Sequence, residues 1–261
     1  MMIEVKNLIK KFKQFAAVND ISFSVNDGEI LAFLGPNGAG KTTTIKILTT
    51  TLSPTSGELS VAGHNPVTEK DKVRKSFGIV FQDPSLDEEL TAYENMMLHA
   101  VLYRIPRAKR KEKIEYLLKF VELWDKRKEY VKNFSGGMKR RLEIAKGLLH
   151  HPKILFLDEP TLGLDPQTRN HIWEYIKKMS QEEKMTVFFT THYIEEAEKV
   201  ADRVVVIDGG KIIAAGTPVE IMAIAKKDNL EDAFIELTGH QIREEAAEGG
   251  NWMRRHHGGR H

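Results

Sequence analysis

No cysteine occurs among the 261 residues. That excludes a disulfide framework, a thiolate metal site and cysteine catalysis, and it fits a cytosolic setting. No sign of charge dominates: 39 Lys and Arg stand against 37 Asp and Glu, a formal net charge of +2. Such a balance gives no global reason to expect nucleic acid or a strongly acidic partner. Long hydrophobic runs are missing too. A spanning helix needs about 18 or more consecutive apolar residues. Apolar stretches such as Ile154–Leu157, Val187–Phe189 and Val204–Ile207 are far shorter and read as buried strands. The start, Met1 to Asn7, has no apolar core after a basic segment and is not expected to be a secretory signal. What remains is an ordinary globular composition, 41% hydrophobic and 29% charged. The length allows one large domain with a helical subdomain inserted.

Turn signals divide the first third into short strands. Ile21–Val25 ends at Asn26-Asp27-Gly28; Glu29–Leu34 follows, then a glycine-rich loop and a helix from about Thr42 to Thr50. Pro54 to Gly57 breaks the chain before strand Glu58–Ala62, and Phe77–Phe81 is a strand ending at Gln82. From Asp83 to about Leu149 the period becomes helical. Thr91 and Glu94 have capping-box spacing ahead of a helix with Met96, Met97, Val101 and Leu102 on its apolar side. Ile114, Leu117, Leu118, Val121 and Leu123 recur at helical spacing. Alternation then resumes: strand Ile154–Leu157, a helix near Gln167–Ser180, strand Thr186–Thr190, a helix near Ile194–Val200, and strand Val204–Ile207. This order argues for an α/β fold with a largely parallel sheet covered on both faces. Leu230–Leu237 reads as a terminal helix. The tail from His240, rich in Glu, Gly, Arg and His, is expected to be flexible rather than metal-binding.

Three segments carry chemistry. Gly35-Pro36-Asn37-Gly38-Ala39-Gly40-Lys41-Thr42 matches the phosphate-binding loop pattern, and Thr43 is grouped with it. Its glycines let backbone N–H groups converge on phosphates, Lys41 brings a point charge, the Thr42 hydroxyl can ligate Mg²⁺, and a helix start adds its positive end. The apolar strand Ile154–Leu157 ends in Asp158-Glu159. Asp158 is thereby placed to hold Mg²⁺ through water and Glu159 to polarise an attacking water. Standing alone, the pair would be ordinary acids at a strand end. Ser135-Gly136-Gly137 is a natural N-cap before a basic amphipathic helix, with glycine N–H groups open to a phosphate. A second anion-binding helix start has no evident use for one nucleotide in one subunit; it suits a partner's nucleotide.

With these motifs in this order, the chain resembles nucleotide-binding subunits of the ABC family from about Ile3 to Gly239. Phe134-Ser135-Gly136-Gly137-Met138, followed by Lys139 to Glu143, and the segment Leu230 to Phe234 resemble the daunorubicin-resistance type of drug exporters. Met138 departs from the family's commoner Gln and removes any contact a side-chain amide would make. The resemblance implies a P-loop NTPase core with a parallel sheet, an N-terminal antiparallel β subdomain and a helical subdomain inserted at about 84–149. It implies ATP and Mg²⁺, with Gln82 approaching the metal and the water, His192 contacting the γ-phosphate, and Asp165 in the loop between two sites. Phe12 falls where the family stacks an aromatic on adenine, with Phe15 as the nearby rival. It further implies an ATP-dependent homodimer, a separate transmembrane permease and a peripheral position at the cytoplasmic face of the membrane. The segment Asp83 to about Tyr103, with Pro84, Leu86 and Leu90, is the expected dock for that partner.

Two other classes compete. An ABC ATPase acting on nucleic acid or ribosomes, or assembling a cofactor, would need a basic surface. Arg104 to Lys111 is the one candidate, but Glu112 and Glu115 follow and no aromatic interleaves it, so it reads as a solvated helical face. A P-loop kinase or GTPase leaves the Ser135 motif and His192 unexplained.

Overall fold

The computed structural model describes residues 1–239 apart from Pro84, so the expected flexible tail and the Pro84 contact lie outside the described residues. The chain opens with β1 (Ile3–Phe12), β2 (Phe15–Val25), β3 (Ile30–Leu34), α1 (Lys41–Leu48), β4 (Ser56–Val61), α2 (Lys70–Ser76) and β5 (Phe77–Val80). Helices α3 (Ala92–Leu102), α4 (Arg107–Phe120) and α5 (Gly136–Leu148) follow. The last part runs through β6 (Ile154–Asp158), α6 (Pro166–Glu183), β7 (Thr186–Thr191), α7 (Ile194–Val200), β8 (Arg203–Asp208), β9 (Lys211–Gly216), α8 (Pro218–Ala225) and α9 (Leu230–Thr238).

The larger sheet has the order β5-β6-β7-β3-β8-β9 and is parallel except for the last pair. The smaller one, β2-β1-β4, is antiparallel. Strands β3, β6 and β7 are buried throughout, which is why their sequences run apolar without alternation. Their side chains nevertheless alternate between two cores. Ala32, Leu34, Leu155, Leu157, Val187 and Phe189 join the core shared with the helices. Leu31, Phe33, Ile154, Phe156 and Phe188 join a second core with α1 and the antiparallel sheet. There Phe23, Phe33, Phe156 and Phe188 pack with adjacent ring centroids 5.3–6.0 Å apart. Each such ring, fully buried, stabilises the fold by about 1.5–3 kcal/mol.

Two details differ from the expected pattern. The capping box at Thr91 and Glu94 is present, but α3 buries Ala92, Asn95, Met96 and Ala100, leaving Val101 and Leu102 exposed. Asn95 can turn inward because its amide donates to the carbonyls of Asp87 and Thr91 and accepts from the Asp87 N–H. The strand before Gln82 stops at Val80. The parallel arrangement has one consequence for chemistry. Strands β3, β5, β6 and β7 all end at the same edge, with Leu34 opposite Thr191, Asp158 opposite Thr190 and Val80 opposite Leu157. The loops that follow are thereby brought together, as carboxyl ends are in open α/β sheets.

Candidate active site

The loop from Gly35 to Gly40 joins β3 to α1. Gly40 caps the helix with φ 105° and no side-chain bond, so the first N–H groups have no capping acceptor from that residue. A Cβ on Gly40 would also come within 2.5 Å of the Ala17 carbonyl oxygen. Backbone conformation and space thus both demand glycine. Lys41 is 4% exposed and folds back into its own loop. Its ammonium donates to the carbonyls of Gly35 at 2.7 Å and Pro36 at 3.1 Å and pairs with Glu159 Oε1 at 3.2 Å. Burial pushes this ammonium below its ordinary pKa, against the opposing pull of Glu159.

The acids at the end of β6 are held from both sides. Asp158 Oδ1 accepts from the hydroxyls of Thr190 at 2.6 Å and Thr42 at 3.2 Å. Burial raises its pKa although both hydroxyls work against this. Glu159 has φ 47°, a left-handed backbone that its type seldom adopts. Its N–H donates to Thr190 Oγ1 at 3.0 Å, and its Oε2 lies 3.1 Å from His192 Nδ1. Burial favours a raised pKa, but the His192 bond and the Lys41 charge outweigh it and hold the carboxyl below its ordinary value.

These groups line a cleft of about 470 Å³. Phe12, Asn37, Gly38, Gly40, Lys41, Thr42, Thr43, Gln82, Glu159 and His192 all face it. Gly35, Pro36 and Ala39 complete the loop behind, and buried Asp158 reaches it through Thr42. Phe12 and Phe15 both line the mouth. Ala17 and Leu162 also line it; neither belongs to a motif, and only the sheet topology brings them there. The donor set suits a nucleotide with a divalent ion: a cation, a helix N-terminus without a side-chain cap, a hydroxyl and a carboxylate converge on one cavity.

Ser135, Gly136, Gly137 and Asp165 are not among the residues lining the cleft. Ser135 caps α5, accepting from Met138 N–H at 3.2 Å, and Asp165 caps α6, accepting from Thr168. Gly137 has a task within the subunit that sequence reasoning missed. A Cβ on Gly137 would meet Thr168 Cγ2 at 2.6 Å, so the starts of α5 and α6 touch at this point. Helix α5 also grips the segment after β5. The Arg140 guanidinium donates to the carbonyls of Phe81 at 2.6 Å and Gln82 at 3.1 Å. Glu143, paired with Lys146, accepts from the Ser85 N–H at 2.7 Å.

Comparison with known proteins gives one answer throughout. The ABC transporter family model matches residues 18–162. The linearmycin resistance ATP-binding protein LnrL of Bacillus subtilis is 40% identical, over 93% of this chain and 76% of its own length. The daunorubicin/doxorubicin resistance ATP-binding protein DrrA of Streptomyces peucetius is 39% identical, over 94% and 72%. Among solved structures, the ATP-binding subunit of an ABC transporter superposes with a TM-score of 0.82 at 30% identity, covering 91% of this chain and 99% of that one. A dimeric post-hydrolysis state of the ATP-binding cassette MJ0796 bound to ADP and Pi gives 0.75 at 28%, covering 83% and 98%. With this cleft and these relatives, the chain belongs to the ABC transporter family as an ATP-binding subunit, an ATPase that works with Mg²⁺.

Proposed function

We propose that this ATPase powers export of drug-like or lipophilic compounds through a separate membrane-spanning permease. It would act as an ATP-driven homodimer at the cytoplasmic face of the membrane. Residues 1–239 would form the ATPase domain, with the segment 84–149 as its helical subdomain. The observation that carries the reading is the position of Ser135, Gly136 and Asp165, exposed at helix starts yet outside their own subunit's cleft. Two helix N-termini made for anions then serve one nucleotide each across a dimer. The resistance and export names of the relatives support the direction of transport. Nothing favours the nucleic-acid alternative. The basic segment Arg104 to Lys111 leads into α4, whose inner side buries Ile114, Leu117 and Leu118, and Arg110 is used in bonding the Ile105 carbonyl.

In this reading Phe12 stacks on the base, and the loop N–H groups, Lys41 and Thr43 hold the phosphates. Thr42, Asp158 and Gln82 would hold Mg²⁺, which would supply charge neutralisation to the phosphates. Glu159 accepts a proton from the attacking water, and His192 steadies the charge that develops on the γ-phosphate. Lys41 exchanges its bonds to Gly35, Pro36 and Glu159 for phosphate oxygens, which frees one oxygen of Glu159.

Among the described residues no helix is long and apolar enough to cross a membrane. The partner would then dock, and α3 offers the surface: Leu98, Val101 and Leu102 are exposed on the helix that follows the Gln82 segment. Leu86 instead packs against the core, so the contact shifts from Leu86 to the end of α3. The test is co-purification from membranes with identification of the partner chain. Leu102→Asp should leave the basal ATPase of the isolated subunit unchanged while membrane attachment and transport fall. Attachment undiminished by Leu102→Asp would remove α3 as the dock, and recovery without any membrane chain would contradict the transport reading.

A further inference from the structure

Glu196 belongs to none of the motifs above, yet it is buried in α7 with 6% exposure. Its two carboxylate oxygens have different partners. The Thr161 hydroxyl donates to one, and the Thr191 hydroxyl donates to the other at 2.8 Å. Thr161 lies two residues beyond Glu159, and Thr191 directly precedes His192. The Thr191 oxygen also accepts from the Tyr193 N–H at 2.9 Å, so the backbone on both sides of His192 is tied to it. From Thr161 the tie runs onward, because its carbonyl accepts from the Leu164 N–H next to Asp165.

We infer that Glu196 is a positioning residue for hydrolysis: its carboxylate pins the Glu159 loop and the His192 turn to one point. This rests on the reading of Glu159 and His192 as the working pair. Glu159 is in a left-handed conformation that persists only when its surroundings over-determine it. Two of those surroundings are Thr190 on the strand and the Thr161–Glu196 strap beyond it. A buried carboxylate is expensive unless fully bonded, and here both hydroxyl bonds lead to the loops that carry the site. Without the carboxylate the two hydroxyls lose their acceptor, the loops move independently, and the 3.1 Å contact between Glu159 and His192 is no longer fixed. Misplacement of reacting groups by about 1 Å costs about 10²-fold in rate.

The experiment compares Glu196→Ala with Glu196→Gln. An amide can accept from one threonine and donate to the other, so Gln should retain most of the turnover. Ala should lower kcat about 10–100-fold while MgATP affinity stays within a factor of about three. In a His192→Ala background, Glu196→Ala should add a factor of about three or less, because both changes act on one contact. Thr191→Val, which keeps the shape and removes one hydroxyl, should lower kcat in the same sense and serves if Glu196→Ala does not fold. The inference is overturned if Gln is as damaging as Ala, if affinity falls together with kcat, or if the full penalty persists in the His192→Ala background. The underlying assignment fails separately: Glu159→Gln and His192→Ala would then hydrolyse ATP like the parent. Should those two be crippled while Glu196→Ala and Thr191→Val are active, only the role of Glu196 is lost.

Discussion

Lys41 and His192 approach the two oxygens of Glu159 from different elements, and the division of work between them can be measured. Lys41→Ala should abolish nucleotide binding, because in the proposed reading its cation meets phosphates already present in the ground state. His192→Ala should leave affinity nearly intact and lower kcat by about 10²–10³, the usual cost of one contact made as charge develops. Weakened binding with unchanged kcat in the His192 variant would reverse these roles. The pH dependence follows with a definite sign. Glu159 works as a carboxylate and its pKa is held low, so hydrolysis should persist below the usual carboxylate range before failing. In His192→Ala the burial that favours the neutral acid meets less opposition, and the acid limb should move to higher pH. A pH–kcat/KM profile of both proteins, which reports the nucleotide-free enzyme, checks this, and an unshifted limb would contradict it.

Helix α5 shows how an element can serve two purposes at once. Its start carries Ser135 and Gly136 outward, while Gly137 lets it touch α6 at Thr168 and Arg140 holds the backbone of Gln82. Gly137→Ala should destabilise the subunit by about 1–3 kcal/mol through overpacking, seen as a lowered Tm. Adding Thr168→Ser, which removes the obstructing methyl and keeps the hydroxyl bonded to Asp165, should restore most of that loss. No recovery in the double variant would show that the close approach is not the cause. Elements differed in how readable they were. Strands β3, β6, β7 and β8 announce themselves because burial on both faces demands apolar residues at their centres. Strand β1, IEVKNLIKKF with its lysines and three register shifts, gives no clean alternation that would delimit it by pattern alone. In α2, Val73 is the one buried residue, so a short surface helix left almost no signal. The reading of α3 went astray for a different reason. Polar Asn95 is inside because its amide is fully bonded, whereas apolar Val101 and Leu102 are outside, and hydrophobicity cannot foresee either.

For the whole molecule, the phosphate loop and the acids after β6 were legible because phosphate and metal chemistry restricts residue type at fixed spacing. What the sequence could not show was how the strand order gathers Ala17 and Leu162 at that cleft, or that the backbone of Glu159 is left-handed. The same geometry leaves a question that one subunit cannot answer, because the Ser135 helix start and Asp165 are exposed yet lie outside the lining of their own subunit's cleft. The composite site proposed above would answer it, with each cleft closed by the Ser135 helix of a second copy. Glu159→Gln preserves size and the neighbouring contacts but removes the base, so MgATP should bind and remain. Light scattering of this variant should give the mass of a dimer with MgATP and of a monomer with ADP. A variant that binds MgATP yet stays monomeric at micromolar concentration would contradict the composite site.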